Sequence, residues 1–133
     1  MRRTTRLTTS KLAAPRRTRA RGGRRKRRRT VAPRVLKDII ARVVAAARPE
    51  KIILFGSAAR GTMGPNSDVD LLVIKGGKYD KGRLTERAYM NLRGAGAAVD
   101  IIMVTPEEVE QYSDTHWLII APALREGRVV YGA

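Results

Sequence analysis

From Pro33 onward, apolar residues recur at helical spacing: Val35, Leu36, Ile39, Ile40, Val43 and Val44 fall on neighbouring turns, with Pro33 suited to the first one. Pro49 disfavours helical backbone in the residue before it, so this helix is expected to stop near Arg48. "KIILF" (51–55) then reads as a short buried strand, followed by a tight turn at Gly56. "DVDLLVI" (68–74) is a second apolar run, closed by Gly76 and Gly77. The stretch from about Lys81 to Leu92 places Leu84, Ala88 and Leu92 on one helical face, and Gly94 and Gly96 end it. "AAVDIIMV" (97–104) is a third strand, and Thr105, Pro106, Glu107 and Glu108 supply the cap, the first-turn proline and the acidic start of another helix. A last helix is expected over roughly Trp117 to Glu126, with "RVVY" after Gly127 as an edge strand. Helices alternating with strands predict an α/β domain built on a small mixed β-sheet with flanking helices.

Charge divides the chain into two parts. Residues 1–34 carry 15 Lys and Arg and no acid, whereas the remaining 99 residues carry 13 bases against all 12 acids. The formal charge of +16 therefore belongs to the first quarter, and the body is nearly neutral. Residues 1–32, rich in Arg, Thr and Gly, lack the apolar content to offset their ordering entropy and are expected to be a disordered Arg-rich tail; 33–133 form the domain. Three readings fit the tail: nonspecific nucleic-acid binding through phosphate neutralisation, steering toward an acidic partner, or an over-extended start. Val31 stands where a GTG start codon would be read as valine, and the last reading is preferred. The chain has no cysteine, which excludes disulfides and thiolate metal sites and is compatible with a reducing cytoplasm. No apolar run reaches the roughly 18–20 residues of a membrane span.

Two aspartates inside an apolar strand raise the question of chemistry. Side chains alternate along a strand, so Asp68 and Asp70 project from the same side about 7 Å apart. Like charges at that spacing beside apolar neighbours are unfavourable, and a cation between them would remove the conflict. Oxygen donors without Cys or a nearby His suit Mg2+, with Mn2+ as an alternative, better than zinc. Asp100 is a single acid within the third strand. If that strand lies beside the first pair, three carboxylates could hold two Mg2+ about 4 Å apart. The plainer explanation is a strand with one wet face, which strand avoidance of Asp weakens for the pair and less so for Asp100. Gly56 and Ser57 follow a strand and precede a short helical turn, where free N–H groups and a hydroxyl could receive phosphate; taken alone they would be read as an ordinary turn with a serine cap.

Together these residues form G-S-x10-D-x-D, with Ala59, Arg60 and Gly61 inside the spacer and Ser67 before Asp68. In this pattern the sequence resembles the minimal nucleotidyltransferase family of the DNA polymerase beta-like superfamily, found in two-gene toxin–antitoxin modules beside a HEPN-domain toxin. The resemblance runs over about residues 33–131, including "VDIIMVTPEEVE" and "PALREGRVVY". It implies that Gly56 and Ser57 hold a nucleoside triphosphate, that Asp68 and Asp70 bind metal, and that Asp100 completes the site and assists deprotonation of the attacking hydroxyl. It leaves Arg60 as a phosphate contact or a structural ion pair. The implied activity is transfer of AMP from ATP to a hydroxyl of a HEPN toxin, which would neutralise it. Alternatives are an antitoxin acting by stoichiometric contact alone, or nucleic-acid binding through the tail. His116, the only histidine, reads as a surface or helix-start residue; the apolar run Trp117 to Ile120 reads as core that a toxin partner could partly cover; Tyr79, Tyr89 and Tyr112 are scattered and form no stacking platform for bases.

Overall fold

The computed structural model describes residues 29–113 and 120–132. The readings that concern residues 1–28, His116 and the run from Trp117 to Ile119 lie outside the described residues.

Helix α1 (Pro33–Ala47) begins with its proline in the first turn and buries Leu36, Ile39, Val43 and Ala47 at spacings of three and four. It ends at Arg48, whose left-handed backbone (φ 49°, ψ 58°) returns an N–H to the Val44 carbonyl before Pro49. Strand β1 (Lys51–Phe55) runs directly into the one-and-a-half-turn helix α2 (Gly56–Arg60). Strand β2 (Val69–Ile74), helix α3 (Lys81–Asn91) and strand β3 (Val99–Val104) follow as a strand–helix–strand unit. Helices α4 (Pro106–Ser113) and α5 (Ile120–Glu126) precede the edge strand β4 (Arg128–Tyr131). Strand β2 thus starts one residue after Asp68, and β3 starts at Val99 rather than Ala97.

The four strands lie in the order β3-β2-β1-β4. β1 pairs antiparallel with both neighbours, and β2 pairs parallel with β3. Alternation along the strands feeds two separate cores. On one face Ile52, Leu54, Val69, Leu71, Val73, Ile101 and Met103 pack under α1 and α3, with Ala58 of α2. On the other, Ile53, Leu72, Ile74 and Val104 meet Ile120 and Ala123 of α5. Cover on both faces explains why the interior strand β2 reads as an unbroken "LLVI" rather than alternating with polar residues.

Ahead of α1, residues 29–31 lie along the α2 end of the sheet. Arg29 bridges Thr62 through its backbone, donating to the Gly61 carbonyl (2.8 Å) and accepting from the Met63 N–H (2.9 Å). The Thr30 hydroxyl donates to the Ala58 carbonyl at 2.7 Å, and Val31 is buried. Among the described residues no helix is long and apolar enough to cross a membrane.

Candidate active site

The register of the parallel pair decides where the acids meet. Asp70 is the partner of Asp100, followed by Leu72 with Ile102 and Ile74 with Val104. Directly paired residues in a sheet share a face, so both carboxylates stand on the α5 side. α5 covers the apolar positions further along that face, and the acids occupy the first position of each row at the open end. Asp70 is half-buried there and Asp100 is exposed. Asp68 is exposed two residues earlier; the Val69 N–H bonded to the Ala98 carbonyl (2.8 Å) keeps the chain alongside β3 up to that point.

Charge coupling ties the three together. Burial pushes the Asp70 carboxyl above the usual range, and the negative charges of Asp100 and Asp68 push it further, while Arg60 opposes them. Among the described residues no three His, Cys, Asp or Glu side chains are gathered tightly enough to cage a metal by themselves. Magnesium is commonly held by one or two carboxylates, with water and substrate phosphates completing its shell, so this oxygen-only set fits that ion.

The Gly-Ser turn faces the same acids. Phe55 pairs with Asp70, which brings Gly56 against the Asp70 side chain. Gly56 has φ +72°, and a Cβ there would run into the Asp70 carboxylate oxygen. The left-handed backbone calls for glycine, and any side chain there would also have to push the Asp70 carboxylate aside. Ser57 is not the helix cap. The cap position falls on Phe55, with no side-chain cap bond, and Ser57 is the second residue of α2. Its carbonyl accepts the N–H of Gly61, which is left-handed (φ 78°), and of Thr62. Arg60 sits in the last turn of α2, exposed and near enough to Asp70 to lower its pKa, and forms no ion pair with a described acid.

Beyond Asp68 the loop closes on itself: the Gly64 N–H donates to the Ser67 hydroxyl (2.8 Å) and the Ser67 N–H to the Gly64 carbonyl (3.2 Å). An open cavity of about 830 Å³ begins here, lined by Asp68, Asn66, Met63, Ala98, Arg29 and Thr30 among others.

One site residue escaped the sequence reading. The Tyr89 hydroxyl, from α3, donates to Asp100 Oδ1 (3.2 Å) and accepts from the Ile101 N–H (2.7 Å). Burial raises its pKa; the bond from Ile101 opposes this, and the Asp100 charge adds to the rise. Only its place one turn before the end of an amphipathic helix was visible in the sequence, and that does not reveal a partner. Tyr79, by contrast, donates to the Lys75 carbonyl (2.6 Å) with the Lys75 ammonium 5.8 Å from its ring, away from the acids.

Comparison with known proteins adds the chemical class. The family model described as nucleotidyltransferase domain matches residues 35–128. A protein of Methanocaldococcus jannaschii, provisionally named a protein adenylyltransferase, is 33% identical over 84 residues, which span 63% of this chain and 80% of that one. Among solved structures, a toxin–antitoxin with AMP-PNP superposes with a TM-score of 0.53 at 21% identity, covering 73% of each chain. A mutant of the MntA-HpeT toxin–antitoxin gives 0.51 at 20% identity over 71% of each chain. At such identities the structural likeness speaks for the fold.

Proposed function

Because the chain belongs to the nucleotidyltransferase domain family, we propose that it moves a nucleoside monophosphate, AMP from ATP, onto a hydroxyl of a partner protein and releases pyrophosphate. The observation that carries this reading is the pairing of Asp70 with Asp100 across parallel strands, at the open end of the sheet and against Gly56. Acids of one strand pair merely facing water would not require a glycine packed against one of them.

Gly56 and Ser57 would receive the β- and γ-phosphates through the N–H groups of the α2 start, with the Ser57 hydroxyl as a further donor and Arg60 as a cation beside them. The acceptor oxygen forms a bond to the α-phosphorus while the bond from that phosphorus to the β-bridging oxygen breaks. The electron pair leaves with pyrophosphate. Asp100 would take the hydroxyl proton at a carboxylate oxygen. Asp68, Asp70 and Asp100 would hold two Mg2+, or Mn2+, whose contribution is to neutralise the charge of the triphosphate. Backbone pairing on both sides of β2 fixes Asp70 before substrate arrives, which is what a reaction dependent on positioning and charge neutralisation asks of a protein.

The proposed partner is a HEPN ribonuclease toxin, with modification as the means of neutralising it and the cytoplasm as the setting. The provisional name of the Methanocaldococcus jannaschii relative supports a protein acceptor, and the toxin–antitoxin assemblies that share this fold support a toxin as that partner. The test incubates the chain and the product of the neighbouring gene with labelled ATP and Mg2+, comparing wild type with Asp68→Ala/Asp70→Ala. Labelling by wild type alone is expected. Equal labelling by both would end the catalytic reading, and protection by the double variant without labelling would favour stoichiometric contact.

A further inference from the structure

We infer that Tyr89 is a positioning residue for the transfer step, fixing Asp100 through its hydroxyl. This rests on the reading of Asp100 as the third carboxylate of the site. Tyr89 is 38% exposed, so burial does not explain where its hydroxyl points. Two bonds explain it. β3 is an edge strand, and its Ile101 N–H donates to the tyrosine oxygen at 2.7 Å, occupying a lone pair. The hydroxyl has one proton to give, and it gives it to Asp100 Oδ1 at 3.2 Å. Because the backbone donor sets the direction of the O–H, the carboxylate is held by a group that is itself anchored to the strand carrying it. One oxygen of Asp100 is thereby fixed and the other left for chemistry. Partners of this kind behind a metal-binding or reacting carboxylate restrict its rotation, and losing one commonly costs 10–100-fold in metal affinity or activity.

A purely structural role for the hydroxyl would be to seal the edge strand. The two roles differ in what Tyr89→Phe changes. Phenylalanine keeps the ring but leaves the part-buried Ile101 N–H without its acceptor, so the melting temperature is expected to fall by a few degrees at most. Using the full chain, [α-32P]ATP and the neighbouring gene's product, kcat is expected to fall about tenfold with KM for ATP within twofold, because the triphosphate contacts at Gly56, Ser57 and Arg60 are intact. In an Asp100→Asn background the same change should add no further loss. A lowered melting temperature with unchanged kcat, or a full additional loss in that background, would overturn the inference.

A second readout separates this inference from the reading beneath it. Mn2+ binding in the presence of AMP-PNP, followed by electron paramagnetic resonance, is expected to weaken about tenfold in Tyr89→Phe. If wild type transfers no label yet Mn2+ affinity drops in the variant, the transfer reading fails and Tyr89 stands as the residue that positions Asp100 for metal. Equal Mn2+ affinity in both proteins, or no Mn2+ binding by wild type, would overturn the positioning role.

Discussion

Asp70 carries a stability cost that the proposed transfer reaction would account for. Its folded pKa lies above the unfolded one, first through burial and then through Asp100 and Asp68. A carboxyl raised in this sense binds more protons folded than unfolded, so stability falls as pH rises from the unfolded pKa through the folded one, and the penalty is complete above both. Asp70→Asn removes the charge while keeping the shape. In EDTA at pH 7 it should melt higher than wild type, with the advantage vanishing on acidification below the unfolded carboxylate pKa of about 3.9, and it should transfer no nucleotide. A lower melting temperature at pH 7 would contradict the like-charge account. Gly56→Ala tests the opposite face of the same contact. Left-handed backbone and the Asp70 carboxylate both reject a Cβ, so the variant should lose on the order of 1–3 kcal/mol of stability as well as nucleotide binding, measured by denaturant melts and by titration with AMP-PNP. At this scale the aspartates stood out because strands avoid that residue, whereas Gly56 and Ser57, an ordinary turn by themselves, stood out only through their spacing from Asp68 and Asp70. Tyr89 did not, since a hydroxyl's partner depends on how α3 lies across the edge of β3.

The helix start at Thr105 illustrates what local signals can and cannot give. Thr105 and Glu108 form a reciprocal cap: the Glu108 N–H donates to the Thr105 hydroxyl (3.1 Å) and the Thr105 N–H to Glu108 Oε1 (2.8 Å). That much follows from the spacing of the two residues. The third partner, the Lys81 ammonium 2.7 Å from the same oxygen, comes from α3 and has no local signature. Lys81 is the chief cause of the lowered Glu108 pKa, ahead of the Thr105 N–H. With the folded pKa below the unfolded one, the stabilisation is full above the unfolded value and drains away as pH falls through the folded one. Glu108→Gln can still cap α4 but cannot pair with Lys81. It should cost about 0.5–1 kcal/mol at pH 7, the pair being partly exposed, and nothing near pH 3, as read by thermal melts across that range. A pH-independent loss would place the effect in the cap instead. Among the described residues, strand and helix limits were legible to within one or two residues, the differences at Asp68 and Ala97 arising because strand starts depend on pairing that the apolar pattern does not show.

For the whole molecule, the decisive fact is one that no stretch of sequence contains: β2 and β3 are neighbours, parallel, and in the register that sets residue 70 opposite residue 100. Alternating elements predicted an α/β sheet with flanking helices, and the crossover helix between β2 and β3 made a parallel pair natural. Strand order, with β1 inside and β4 at its outer edge, follows from the double cover that buries "IIL" and "LLVI" on both faces. Arg29 and Thr30 join this arrangement by bonding to the carbonyls of Gly61 and Ala58 in and after α2, a contact that charge counting along the chain gave no reason to expect. The central claim is that this end of the sheet performs nucleotidyl rather than phosphoryl transfer. The most direct measurement supplies ATP labelled at the α- or the γ-phosphate, with Mg2+ and the product of the neighbouring gene, and follows label onto protein. Retention of the α-label with loss of the γ-label as pyrophosphate is the predicted result; γ-label on the acceptor, or α-label undiminished in Asp68→Ala/Asp70→Ala, would contradict it.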